Sequence, residues 1–186
     1  MALLIAGLVL WSLVHLVPAL LPAIKKRWIN MAGNNGYQAT FSILIVLSLV
    51  MIVYGWRHAI PVHVYTLPAV AIQLAMVLMV IAFLLFGAAI VPSRINSYIR
   101  HPQLLSVFIW SFAHLLANGD SRSIVLFSGM GAWAVLEITL INRREGVWSK
   151  PPRPGLKKEA LSIAVSLVLL VVAALTHPYI AGVAIR

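Results

Sequence analysis

The sequence predicts an all-α polytopic membrane bundle of six transmembrane helices, with both termini on the non-cytoplasmic side. Composition is the first reason. Hydrophobic residues make up 62% of the 186 and charged residues 10%, against roughly 45–50% and about 25% in soluble domains. Mean hydropathy is +0.99, more apolar surface than a soluble core of this size uses. The second reason is segmental. The apolar residues fall into runs close to the ~20 residues that cross a bilayer. The runs do not alternate in polarity as barrel strands do. Lipid offers no partner for backbone groups, so such runs are helical. The third is charge: the basic residues concentrate in alternate loops.

The first run, 2–23, carries Trp11, Ser12, His15 and Pro18. It lacks a basic leading region and an obvious cleavage site, so it reads as a mature helix. The next runs are 37–56, 68–91, a shorter 103–119, 121–141 and 159–176. Lys25, Lys26 and Arg27 follow the first run. Arg94 and Arg100 follow the third, and Arg143, Arg144, Lys150, Arg153, Lys157 and Lys158 follow the fifth. These eleven face only Arg57, Arg122 and Arg186 on the other side. The positive-inside rule then puts the basic loops in the cytoplasm. The connector 142–158, with Pro151, Pro152, Pro154 and Gly155, is too small for a domain. One domain, 1–186, is expected. A net charge of +10 serves topology here and not nucleic acid, because the aromatic residues lie in the apolar runs. No cysteine is present, which excludes thiolate nucleophiles, iron–sulfur clusters and Cys-ligated zinc.

Polar groups inside spans are costly and therefore informative. His15 ends the string WSLVH and His114 the string WSFAH. Trp and His at i, i+4 share a helix face in both, and the Ser flanks it. The two helices run in opposite directions in this topology, as in an inverted repeat. Two membrane histidines can clamp one haem iron, or each can fix packing by bonding to a neighbouring helix. At 1.5 Å per residue their depths differ by about 8 Å, against about 11 Å for His15–His101 or His114–His177. Arg100 and His101, ahead of Pro102, suit an anionic head group, a phosphate or a cofactor carboxylate, or simply anchor the interface. Asn118-Gly119-Asp120 reads as a tight turn with Asp120 capping the next helix. Glu137 is expected to pair with a basic neighbour such as Arg144, or to relay protons. His58, His63 and His177 are expected at the interface. The common nucleotide-binding, zinc-protease and serine-hydrolase motifs are missing.

RHPQLLSVFIWSFAHLLANGD (100–120), THPYIAG (176–182), RINSYIRHP (94–102) and the histidine of the first helix resemble the NnrU family of bacterial membrane proteins. AHLLANGD (113–120) is the most specific of these strings. The resemblance implies an inner-membrane protein associated with nitrite and nitric oxide reduction. It also implies kinship with the membrane domain of plant zeta-carotene isomerase, a haem b enzyme that turns a cis double bond of a carotenoid to trans. That enzyme's two axial histidines correspond to His15 and His114. A cysteine one turn before its second histidine corresponds to Ser111, which cannot supply a thiolate.

The resulting expectation is a haem b protein with iron ligated by His15 and His114. Trp11, Trp110, Ser12 and Ser111 line the pocket, and Arg100 and His101 bind an acidic group of the cofactor. Its role is redox-linked, or the isomerisation of a hydrophobic polyene. Two alternatives stand beside it. One is a membrane methyltransferase holding S-adenosylmethionine near His101 and Glu137. The other is a non-enzymatic accessory subunit bound to a protein partner in a redox pathway.

Overall fold

The computed structural model describes residues 1–183. They form six α-helices: α1 (Ala2–Leu20), α2 (Pro22–His58), α3 (Ala69–Ile90), α4 (Pro102–Ala117), α5 (Ser121–Glu145) and α6 (Leu156–Ala181). A 3-10 turn occupies Arg94–Ser97. Among the described residues there is no strand, only an isolated antiparallel bridge between His63 and Asp120. α1, α2, α3, α5 and α6 are long and apolar enough to cross a membrane. α4 has 16 residues, about 24 Å at 1.5 Å per residue, short of the ~30 Å hydrocarbon layer.

The chain divides into two compact units, Met1–Pro61 and Val62–Arg186. In the first, α1 packs on α2. Two glycines let the backbones approach. A Cβ on Gly7 would meet the backbone nitrogen of Ile52 at 2.8 Å, and one on Gly55 would collide with the backbone of Leu4. Small residues at a membrane helix interface provide van der Waals contact where no hydrophobic driving force acts. Leu4, Leu8, Ser48, Ile52 and Trp56 are buried along this seam.

The region 24–36, expected as a loop, is mostly helix. α1 stops at Leu20 because Leu21 (φ −127°, ψ 61°) precedes Pro22, which restricts its neighbour. Pro22 then opens α2 from the first turn, where its missing N–H costs nothing. Ala23, Lys25, Lys26 and Arg27 are adequate helix formers, so charge there marked the membrane edge and not a helix end. The break comes at Gly33, whose φ of 71° and ψ of 171° bend α2. Trp28 meets Tyr37 edge-on across the bend at 5.0 Å, and Lys25 Nζ lies 5.8 Å from the Tyr37 ring.

In the second unit α3 packs against α4 and α6, and α4 against α5. α5 ends on Gly146 in a positive-φ conformation (66°). α6 starts on Gly155 after the proline run and continues through His177 and Pro178 to Ala181, beyond the expected end at 176. Ser93 and Asn96 form a capping box at the 3-10 turn. Arg94 N donates to Glu159 Oε2 at 2.8 Å, tying that turn to α6.

Gly55→Ala should lower the thermal midpoint of the detergent-solubilised protein, by roughly 1–3 kcal/mol of stability for an overpacked seam. Gly155→Ala, where a Cβ meets nothing within 4 Å, should lower it less, by no more than about 1 kcal/mol for a poorer helix cap. Equal effects would contradict the close approach of α1 and α2.

Candidate functional site

His15 and His114 share one local geometry. His15 Nδ1 lies 2.9 Å from Trp11 O, and His114 Nδ1 lies 2.9 Å from Trp110 O. A carbonyl only accepts, so each Nδ1 carries the proton and donates it. The lone pair of the neutral ring therefore sits on Nε2, the tautomer in which an imidazole ligates a metal. Helical backbone fixes this geometry, because the side chain at i leans back over the carbonyl at i−4.

Aromatic rings set each imidazole plane. The His15 ring lies 4.3 Å from that of Trp11 and meets Phe41 of α2 edge-on at 5.6 Å. The His114 ring lies 4.8 Å from Trp110 and stacks on Phe127 of α5 at 4.3 Å. So each histidine touches its own tryptophan and a phenylalanine of the following helix. The serines differ. Ser12 Oγ donates to Leu8 O at 2.9 Å. Ser111 Oγ is buried with no hydrogen-bond partner among the described residues. His58 makes the same kind of bond to Tyr54 O at 2.9 Å, but on an exposed surface. The local bond alone is therefore not diagnostic; His15 and His114 differ from His58 in being partly buried.

Trp110 also walls an apolar pocket between α3 and α4, of about 180 Å³, with Ala82, Phe83, Phe86, Ser106 and Val107. Beyond His114, α4 stops at Asn118. Asp120 Oδ1 accepts from Arg122 N and Ser123 N, each at 3.1 Å, and its Oδ2 accepts from Ser123 Oγ at 2.6 Å. Asp120 also pairs with Arg122 Nε at 3.6 Å. The expected turn and cap are thus present. Residues 62–65 dock on this turn: Val64 N and Tyr65 N donate to Gly119 O at 2.8 and 3.1 Å. Tyr65 Oη donates to Leu115 O and Asn118 O. A Cβ at position 119 would collide with Tyr65 O, so glycine is required there. Burial first, and the Asp120 carboxylate second, push the Tyr65 phenol up.

A family model described as NnrU protein matches residues 3–185. The chain belongs to the NnrU family. Neither the curated proteins nor the solved structures provide a match.

This NnrU chain does not bring all the sequence-predicted residues together. Arg100 and His101 lie at the opposite end of α4 from His114, about 20 Å away at 1.5 Å per residue. They line a separate open cleft with Ile141, Glu145, Val147, Trp148 and Ser149. Glu137 is buried, with Oε2 lacking a partner among the described residues, and it does not line that cleft. Its expected partner Arg144 bonds to Glu145 Oε1 at 3.1 Å instead. His177 Nδ1 donates to Val183 O at 2.9 Å. Among the described residues, no group of three or more His, Asp or Glu is placed to hold a bare metal ion. Phe41 and Phe127 were not foreseen as site residues. A phenylalanine inside an apolar span carries no distinguishing signal in the sequence.

Tyr65→Phe removes the phenol's two hydrogen bonds and should cost about 1 kcal/mol. Because the folded phenol is held above its ordinary value, this stability is full below pH ~10 and is lost as pH rises through the raised value. The thermal midpoint of the parent should therefore fall toward that of the Phe variant above pH ~10. A constant gap would show that the Tyr65 hydroxyl is not bonded as described.

Proposed function

We propose that this NnrU family member is a multi-pass membrane haem b protein with His15 and His114 as axial ligands. The supporting observation is that both side chains present an Nε2 lone pair from inside apolar helices, each with Nδ1–H bonded to a tryptophan carbonyl. The donor set fits the group. Two neutral imidazoles suit a porphyrin iron, which already has four nitrogens and needs only two more. They do not suit a bare cation, which would need further ligands.

The chain's own residues then have separate tasks. The Trp11 and Trp110 carbonyls hold the imidazole tautomers. Phe41 and Phe127 fix the ring planes and exclude water. Ser111, one turn before His114, offers a hydroxyl that is not committed among the described residues. The pocket walled by Phe83, Phe86 and Val107 gives an apolar molecule a place beside Trp110, one turn from His114. Haem b, when bound, would supply one-electron redox chemistry between ferric and ferrous iron. The role is redox-linked: electron transfer or sensing beside nitrogen-oxide reduction, or cis–trans isomerisation of a polyene. The loop charges support six crossings of a bacterial inner membrane, with both termini outside.

Substitution tests the ligand pair. His15→Ala and His114→Ala should each lower haem per protein at least tenfold in the purified chain, measured as the pyridine haemochrome. His58→Ala, with the same local bond on an exposed surface, should retain it. Full haem content in either of the first two variants would refute the assignment.

A further inference from the structure

We propose that the cleft between the start of α4 and the end of α5 binds the phosphate of an anionic phospholipid. The cleft has a volume of about 490 Å³ and is lined by Arg100, His101, Ile141, Glu145, Val147, Trp148 and Ser149. Its wall is held in place from several sides. Arg100 NH1 donates to Gly146 O at 2.7 Å, and NH2 bonds to Glu145 Oε2 at 3.1 Å. His101 Nε2 lies 2.9 Å from Asn142 Oδ1. Ser97 Oγ donates to Pro151 O at 3.2 Å, and Arg153 bonds to the Tyr98 hydroxyl and lies over its ring. The connector after α5 is thereby strapped to residues 97–100.

Charge decides what such a cleft takes. The cleft holds one carboxylate, Glu145, which Arg100 and Arg144 share, and the adjoining chain adds Arg143 and Lys150. Lys150 Nζ sits 5.8 Å from the ring of Trp148, a lining residue of the cleft. The Arg100 guanidinium is mostly buried, with side-chain exposure of 16%. It has five N–H donors, and the two bonds named leave capacity for a phosphate oxygen. Position decides between a lipid and a soluble ester. The cleft lies where the spanning helix α5 ends. Its lip is apolar: Ile141 is one turn inside, and Val147 is 99% exposed. A phosphate at the basic collar with acyl chains running past Ile141 and Val147 satisfies both. Basic pockets at helix ends recognise anionic head groups in this way.

Native mass spectrometry of the delipidated full chain tests this, using equimolar phosphatidylglycerol and phosphatidylcholine. The parent should retain phosphatidylglycerol at about tenfold excess. Arg100→Gln and the double variant Arg144→Gln/Lys150→Ala should reduce the preference to about twofold or less. Because Arg100 also braces the connector, the double variant, on exposed positions, carries the test if Arg100→Gln fails to fold. Equal retention of the two lipids by the parent, or a preference that survives in the double variant, would overturn the proposal. Displacement of the bound phosphatidylglycerol by millimolar glycerol 3-phosphate, with no lipid preference remaining, would assign the cleft to a soluble phosphate ester instead.

Discussion

Inside a hydrocarbon layer no water completes the bonding of a polar side chain, and the arrangement of polar groups in this protein follows from that. Ser12, Ser48, Ser166, Thr139 and Thr176 each return a hydroxyl to a carbonyl three or four residues earlier in their own helix. His15 and His114 do the same with Nδ1. For a hydroxyl, the bond largely satisfies the group. For an imidazole it settles only half of the ring and turns the other nitrogen into a base with a fixed direction. The constraint that hides serines within their helices thus leaves each histidine with one uncommitted, directed nitrogen.

The helix ends obey a complementary rule. There, backbone groups need partners from outside the helix. Asp120 caps α5 while residues 62–65 lie against Gly119. At the far end, Arg100 crosses from the start of α4 to the end of α5 and binds both a carboxylate and a carbonyl. The two ends of α4 therefore carry different chemistry. One is a closed, bonded turn next to His114, and the other is an open basic cleft. Among the described residues, Ser111 Oγ and Glu137 Oε2 are buried and have no hydrogen-bond partner. Each is a place where a proton, a water or a bound molecule would find a partner waiting.

Much of this was legible in the sequence, for physical reasons. Apolar runs located α3 and α5 closely because hydropathy marks the bilayer core. The same signal missed residues 24–36, where a charged helix continues past the membrane edge, and stopped α6 at 176 although the helix tolerates Pro178 near its end. The repeated Trp-Ser-x-x-His string exposed the two histidines, and Asn118-Gly119-Asp120 exposed the turn. Pairings distant in sequence were not legible. Nothing local links Arg100 to Glu145 or His101 to Asn142. Nor does any local signal separate Phe41 and Phe127 from the other aromatic residues of their helices. The close ion pair of Arg144 goes to the adjacent, more exposed Glu145, and Arg144 acts on Glu137 only from a longer distance.

The central claim is that two imidazole nitrogens, one from each Trp-Ser-x-x-His string, ligate one iron. Pulsed electron paramagnetic resonance of the ferric, detergent-purified protein tests it most directly, with ¹⁵N-labelled histidine and unlabelled haem. The account predicts a low-spin signal with hyperfine coupling to two histidine nitrogens. A signal coupled to one histidine or to none, or a protein that takes up no haem when supplied with it, would contradict it.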